Sequence, residues 1–138
     1  MTSFTAAAIQ TNVTMVDSTA SVSEIKRVRD QNLDRALLML DWVLGHRMGP
    51  VMGAQPTPSL VGLPESFLHA FPRSDGARIE NMRKVAIEIP GEETEKLAAK
   101  ARKYNSHIFG ATYELDPDWP DRYFNCGFII DPAGEIAL

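Results

Sequence analysis

The run Leu60-Val61-Gly62-Leu63 constrains the fold more than any other feature of this 138-residue sequence. It is continuously apolar, and it ends at Pro64-Glu65. A strand without polar alternation is typical of a sheet whose two faces are both covered, usually by helices. The sequence therefore predicts an α/β layered domain in which Glu65 stands at the end of a buried strand.

A leucine stripe upstream of this run predicts a long amphipathic helix. The leucines recur at spacings of four, three and four residues, at Leu33, Leu37, Leu40 and Leu44. Asp30 or Asn32 is a suitable cap for the start of this helix. Apolar residues from Val22 onwards allow further turns before it.

The remaining patterns alternate strands with helices. They predict strands at 4–10, 85–89, 107–114 and 123–130, a loop over Gly45–Pro58, and a helix from Glu92 that ends at Asn105. Asp131-Pro132-Ala133-Gly134 has the residues of a tight turn, after which a returning strand begins. Because the chain stops four residues later, at Leu138, we interpret it as an α/β layer cut off within its sheet.

Composition limits the class of protein. With 44% hydrophobic and 23% charged residues, residues 1–138 suit a single globular domain. A net charge of −4 gives no reason to expect a nucleic acid or an anionic membrane as partner. The N-terminus has no basic region before its apolar residues, which argues against a signal peptide, and no stretch approaches the roughly 20 apolar residues of a membrane span. Only one cysteine, Cys126, is present, so we expect a reducing, cytoplasmic location.

Four stretches, in order and spacing, resemble the nitrilase superfamily of carbon–nitrogen hydrolases. They are Ala7-Ala8-Ile9-Gln10-Thr11-Asn12, the segment Leu63–Pro72 that begins Leu-Pro-Glu, the Pro-Gly start and helix of Ile89–Asn105, and the Tyr-Phe-Asn strand and Asp-Pro-Ala-Gly hairpin of Tyr123–Ile136. The resemblance implies an α-β-β-α sandwich, truncated here within the sheet, that dimerises and forms larger oligomers. It also implies hydrolysis of non-peptide C–N bonds in amide, carbamoyl or nitrile substrates, with no cofactor.

The mechanism implied by the resemblance uses a Cys nucleophile, a Glu that handles its proton and a Lys that stabilises the oxyanion. Glu65 occupies the position of the Glu. The family's Lys and Cys lie beyond the point where this sequence stops, so the resemblance covers the N-terminal half only. The structural alternative for Glu65 is a strand-end carboxylate that faces solvent.

Other reactive side chains are interpreted structurally. Cys126 shares its strand parity with Phe124, Phe128 and Ile130, so we predict that it faces the core with them and packs as a small hydrophobe. Asn125 and Glu114 match recurrent family positions and are expected to form hydrogen bonds near the site or between strands. The lysines at 84, 96, 100 and 103 are explained by surface solvation. The histidines at 46, 69 and 107 lack metal-ligand spacing; His69 either lines a pocket or lies in a loop, and the loop is the simpler interpretation.

Three functional hypotheses follow. The first is a C–N hydrolase that is inactive as this chain alone, because the nucleophile is absent. The second is a non-catalytic binding or assembly subunit, acting as a homo-oligomer or with a complementing chain. The reason is that the strand edge at Leu138 and the apolar helix stripes are not fully covered by a half-domain, and a partner would bury them. The third is a truncated fragment.

Overall fold

The computed structural model describes residues 4–45, 57–71 and 78–138. These residues form a five-stranded sheet and its helices. In chain order the elements are β1 (Ala6–Ala8), α1 (Val22–Gly45), β2 (Leu60–Glu65), α2 (Ile79–Val85), β3 (Ile87–Glu88), α3 (Glu92–Tyr104), β4 (His107–Leu115) and β5 (Phe124–Ile130).

Strand β4 is the centre of the sheet. It pairs in parallel with β2 and β3 and antiparallel with β5, and β1 pairs in parallel with β2. Glu114 pairs with both Ile87 and Phe124, so β3 and β5 lie on opposite sides of β4. Strands β2 and β3 therefore share one side of β4, with β2 pairing as far as Ala111 and β3 beginning at Glu114. Residues 112 and 113 lie in the gap between them.

Helices α1 and α3 pack on one face of this sheet. The shared core consists of buried side chains from both helices and from alternate strand positions: Leu33, Ala36, Leu40, Leu44, Leu97, Ala98, Ala101, Val61, Leu63, Ile108, Phe128 and Ile130. The leucine stripe of α1 is what the sequence predicted, and burying it supplies the apolar contact that holds the helix on the sheet. The predicted α/β fold class is confirmed.

The opposite face, here called the outer face, is partly exposed. Leu60 and Gly62 are only partly buried, and Phe109 on β4 is 37% exposed. The prediction that both faces of β2 are covered is therefore wrong for the described residues. The reason is that α1 and α3 both lie on the other face, so alternate residues of one apolar run end in different environments.

Helix α1 begins earlier than the predicted caps allow. Both Asp30 and Asn32 lie inside the helix, and the Oγ of Ser21 instead accepts a hydrogen bond from the Glu24 amide at 3.2 Å. The helix extends towards Val22 because buried Ile25 and Val28 pack in a second cluster with Val16 and Val85. Local cap preference is overridden by this contact.

Asn32 has a structural role instead. Its side chain is buried, and its Nδ2 donates to the carbonyls of Leu68 at 2.9 Å and Thr14 at 2.8 Å. Its Oδ1 accepts from the Thr14 amide at 2.9 Å and from Arg35 Nη1 at 3.2 Å. Asn32 thus links helix α1 to the loop before it and to the turn that follows β2.

Helix α2 was not predicted. The alternation of Val85, Ile87 and Ile89 predicted a strand, whereas the chain is helical over Ile79–Val85 and extended only at Ile87–Glu88. Met82 and Val85, three residues apart, are the buried side of this short helix. The period of the strand pattern was therefore misassigned at Val85.

The carboxyl-terminal predictions are confirmed. Asn105 ends α3 in the left-handed conformation, with φ of 50°. The Gly134 amide donates to the Asp131 carbonyl at 2.9 Å, and Gly134 has the positive φ, 85°, that favours glycine in the turn. Ile136 then pairs antiparallel with Ile130. The predicted loop over Gly45–Pro58 lies outside the described residues apart from its ends.

None of the helices in the described ranges combines the length and apolarity needed to cross a bilayer.

Candidate active site

Glu65 lies at the carboxyl end of β2, and a register shift sets the face on which it stands. Gly62 pairs with Phe109 while Glu65 pairs with Ala111, so β2 has one more residue than β4 over this interval. With regular alternation Glu65 would share the helix-covered face with buried Leu63. The extra residue moves it to the outer face, where the side chain is exposed.

Asn125 on β5 binds this carboxylate. Its Nδ2 donates to Glu65 Oε1 at 3.0 Å. Asn125 pairs directly with Tyr113 of β4, and directly paired residues project from the same face of a sheet. Glu65, Asn125 and Tyr113 therefore stand together on the outer face, each from a different strand. The expected hydrogen-bonding role of Asn125 is present.

The turn after Glu65 is held at several points. Ser66 and Ala70 both have left-handed backbones, with φ of 59° and 54°, and the Ser66 carbonyl accepts from the amides of His69 and Ala70. Such conformations cost non-glycine residues free energy and persist where the surroundings over-determine them. Here the Ser66 amide donates to the Ala111 carbonyl at 3.0 Å, and Asn32 binds the Leu68 carbonyl.

His69 lies in this turn but is not an exposed loop residue. It is 1% exposed, and its ring is within hydrogen-bonding distance of the Ala70 carbonyl and of Thr112 Oγ1. Burial lowers the pKa of His69 below its ordinary value, with the positive charge of Arg29 acting in the same direction and the Ala70 carbonyl and Glu65 opposing it. The ring also stacks on Tyr113 with 4.4 Å between centroids and 11° between planes.

Tyr113 was not singled out from the sequence, and Tyr123 entered only as the first residue of the Tyr-Phe-Asn strand. Their rings meet edge to face at 5.2 Å. Burial raises the pKa of the Tyr113 phenol, and the neighbouring Tyr123 and Glu65 raise it further. Sequence reasoning missed Tyr113 because its position beside Asn125 and Glu65 depends on the register of β4 with both β5 and β2, for which no local signal exists.

Cys126 is on the other face of β5. It pairs with buried Thr112, is two residues from buried Phe128 and is itself partly buried, as the parity of the strand predicted. The same parity wrongly placed Phe124 in the core: this residue begins β5 and is 36% exposed. Burial and the adjacent Glu114 carboxylate raise the pKa of the thiol to about 11. A thiol with a raised pKa supplies little thiolate near neutral pH, which does not suit a nucleophile.

The remaining candidates lie away from Glu65. Lys100 and Lys103 bind Asp41, Lys96 binds Glu92 and Lys84 binds Asn81, all on helices. His107 lies beside the Ser59 carbonyl, and His46 is outside the described residues. Within the described ranges no group of three or more His, Cys, Asp or Glu side chains is arranged to hold a metal ion.

Three solved structures with a similar fold are larger than this chain. The crystal structure of N-terminal amidase superposes with a TM-score of 0.62 and 19% identity, over 80% of this chain and 23% of that one. The Caenorhabditis elegans NitFhit protein superposes with a TM-score of 0.61 and 18% identity, over 96% of this chain and 26% of that one. A carbon-nitrogen hydrolase from Helicobacter pylori G27 superposes with a TM-score of 0.60 and 17% identity, over 80% of this chain and 33% of that one. The chain thus spans a quarter to a third of the length of these structures, and at this identity the likeness shows the fold.

No curated protein sequence matches the chain significantly. The model of the carbon-nitrogen hydrolase family, in contrast, matches residues 5–138, which is nearly the whole sequence. That match covers the strand that ends at Glu65, the helix α3 and the strand that carries Asn125. The chain therefore belongs to the carbon-nitrogen hydrolase family, the nitrilase superfamily.

Proposed function

We propose that this chain provides the acid/base carboxylate, Glu65, of an enzyme that hydrolyses non-peptide C–N bonds in amide, carbamoyl or nitrile substrates. The observation that supports the proposal best is the register shift in β2, which turns Glu65 away from the core and towards Asn125 on the outer face. A polar strand-end residue that is turned out of a core and held by a neighbouring strand is a feature of sites rather than of packing.

The geometry of Glu65 suits proton transfer. Asn125 occupies Oε1, and within the described residues no hydrogen bond engages Oε2. In the proposed reaction the carboxylate takes the proton of a cysteine thiol, and the thiolate attacks the substrate carbon. With an amide substrate the C–N bond then breaks as a thioester forms, and the proton passes to the leaving amine. Water activated by Glu65 adds to the thioester and releases the acid and the thiol.

The nucleophile of this reaction is not Cys126. Its thiol has a pKa raised to about 11, and it lies on the face of the sheet opposite Glu65. We therefore place the nucleophilic cysteine and the oxyanion-binding lysine outside these 138 residues. Because a reactive thiol must stay reduced, the proposal includes a cytoplasmic location.

The experiment is ammonia release from panels of aliphatic amides, N-carbamoyl amino acids and nitriles, with amides first because the matched structures include an N-terminal amidase. The 138-residue chain is expected to be inactive, whereas a longer product of the reading frame, carrying a downstream lysine and cysteine, is expected to be active. Glu65→Gln should lower kcat of that product by about 10²- to 10⁴-fold.

The matched control is Glu95→Gln, which changes an exposed carboxylate on α3 and should leave kcat unchanged. Full activity in the Glu65→Gln variant would refute the role of Glu65. Glu65-dependent hydrolysis by the 138-residue chain alone would refute the placement of the nucleophile elsewhere.

The partly exposed outer face favours one second candidate, an assembly subunit in which another copy of the chain covers that face. Sedimentation equilibrium tests this candidate. A stable, monodisperse monomer at high protein concentration would contradict it.

A further inference from the structure

The gap in the sheet beside β4 is filled by a histidine. Residues 112 and 113 lie between the end of the β2 pairing at Ala111 and the start of the β3 pairing at Glu114. His69 contacts both of them, through the Thr112 hydroxyl at 3.1 Å and through the stack on Tyr113. A buried ring in this place substitutes for strand pairing as the lateral support of β4.

The hydrogen bonds of His69 fix its tautomer. The Ala70 carbonyl, 2.6 Å from Nδ1, is only an acceptor, so Nδ1 carries the proton. Nε2 of the neutral ring then accepts from the Thr112 hydroxyl. Burial lowers the pKa of His69, which agrees with a neutral ring near pH 7. Both ring nitrogens are thus engaged in holding the ring still, and neither is available for proton transfer with a substrate.

The aromatic ring that stacks on His69 belongs to Tyr113. It also meets Tyr123 edge to face and packs against the cluster that contains Ile25 and Val28, so it is supported by two rings and by apolar side chains. It projects from the outer face directly opposite Asn125, which binds Glu65. The negative charge of Glu65 contributes to the raised pKa of Tyr113, which agrees with their proximity. Within the described residues the Tyr113 hydroxyl forms no hydrogen bond.

We propose that Tyr113 contacts the substrate of the Glu65 site through its phenol hydroxyl, and that His69 is the positioning residue that fixes the Tyr113 ring. A phenol that is held rigidly beside the carboxylate, and whose hydroxyl is unpaired, provides one hydrogen bond to an amide or carbamoyl group bound there. The proposal rests on the proposed function, since it takes Glu65 as the reacting centre.

The first test is kinetic and uses the hydrolytically active form of the protein. Tyr113→Phe removes only the hydroxyl, so KM should rise about two- to tenfold with little change in kcat, as expected for one hydrogen bond. His69→Gln removes the supporting ring and should raise KM by the same factor. The KM of the double variant should be no higher than that of either single variant, because both changes remove the same contact, the one between the Tyr113 hydroxyl and the substrate.

Two controls make this test specific. His69→Phe keeps a ring for the stack and should keep KM within about twofold of wild type, even if stability falls. Tyr104→Phe makes the same chemical change on α3, where the hydroxyl binds Asp41, and should leave KM unchanged. An unchanged KM in Tyr113→Phe, a multiplicative effect in the double variant, or equal losses in His69→Phe and His69→Gln would overturn the proposal.

The second test does not depend on hydrolysis. The 138-residue chain has three tyrosines, and their ionisation is followed by tyrosinate absorbance in wild type and variants. His69→Gln should lower the raised pKa of Tyr113 towards its ordinary value, because the ring becomes more hydrated. An unchanged titration overturns the positioning role whatever the kinetics show. Full hydrolysis in Glu65→Gln, by contrast, refutes the proposed function and leaves the titration result standing.

Discussion

Replacing Asn32 by alanine should destabilise the protein by about 2 to 3 kcal/mol, although the substitution improves helix propensity. The side chain makes three hydrogen bonds to backbone groups, at 2.9 Å to the Leu68 carbonyl and at 2.8 and 2.9 Å to the carbonyl and amide of Thr14. Each is worth about 1 kcal/mol, and the buried Leu68 carbonyl loses its partner where water does not easily replace it. The gain in propensity from Asn to Ala offsets only about 0.5 kcal/mol of this loss.

The assay is urea unfolding of the wild type and of two variants, Asn32→Ala and Gln31→Ala. Gln31 is the adjacent amide on the exposed side of the same helix, so its change to Ala should alter the free energy of unfolding by less than about 0.5 kcal/mol. The midpoint of the Asn32→Ala variant should fall while the m-value is unchanged. If the two variants differ by less than about 0.5 kcal/mol, Asn32 does not hold the turn after Glu65 and the argument fails.

Three further predictions concern packing, pH and the thiol. Gly110→Ala should lower the free energy of unfolding in urea by about 1 to 3 kcal/mol, because its Cβ would stand 2.6 Å from the buried Phe128 ring. Gly127→Ala should lower it less, because the nearest atom to its Cβ is at an ordinary 3.4 Å. Equal losses in the two variants would contradict this packing. Two lysines and a tyrosine of α3 hold the pKa of Asp41 at about 2, below its ordinary 3.8. This carboxylate should therefore contribute about 1 kcal/mol to the free energy of unfolding above pH 4, and the contribution should be lost as the pH falls through 2. Comparing Asp41→Asn with wild type between pH 2 and 6 checks this, and a stability difference that does not shrink towards low pH would refute it. Cys126, with a pKa raised from 9.0 to about 11, should react with iodoacetamide at pH 7.5 about tenfold more slowly than an ordinary thiol. The fraction of thiolate is lowered about 100-fold, and the greater nucleophilicity of a more basic thiolate offsets part of this loss. Mass spectrometry measures the rate, and reaction at the ordinary rate would contradict the surroundings assigned to Cys126.

Sequence reasoning performed best where a pattern is local and strong. The leucine stripe of α1, the ends of α3 at Glu92 and Tyr104, and the turn at Asp131–Gly134 are all where periodicity, charge and turn residues predicted them. It failed at Val85, where three apolar residues fitted a strand and the first of them belongs to a helix. Short apolar runs do not distinguish the two periods, and tertiary contacts then decide.

The position of Glu65 at the end of a strand was predictable, but its face was not. Alternation along β2 would place it with Leu63 on the core side, and only the pairing with Ala111 reveals the extra residue that turns it outwards. Pairing of this kind is fixed between segments about 45 residues apart in the sequence, so no local pattern encodes it.

By itself, therefore, the sequence determined the family, the α/β class and the strand end that carries the acidic residue, because each is written in the order and period of neighbouring residues. Only the tertiary structure placed Asn125 on Glu65, His69 in the gap beside β4 and Tyr113 between two rings. Those contacts join segments that are distant along the chain, and they exist because sheet register and side-chain packing are settled together when the molecule folds.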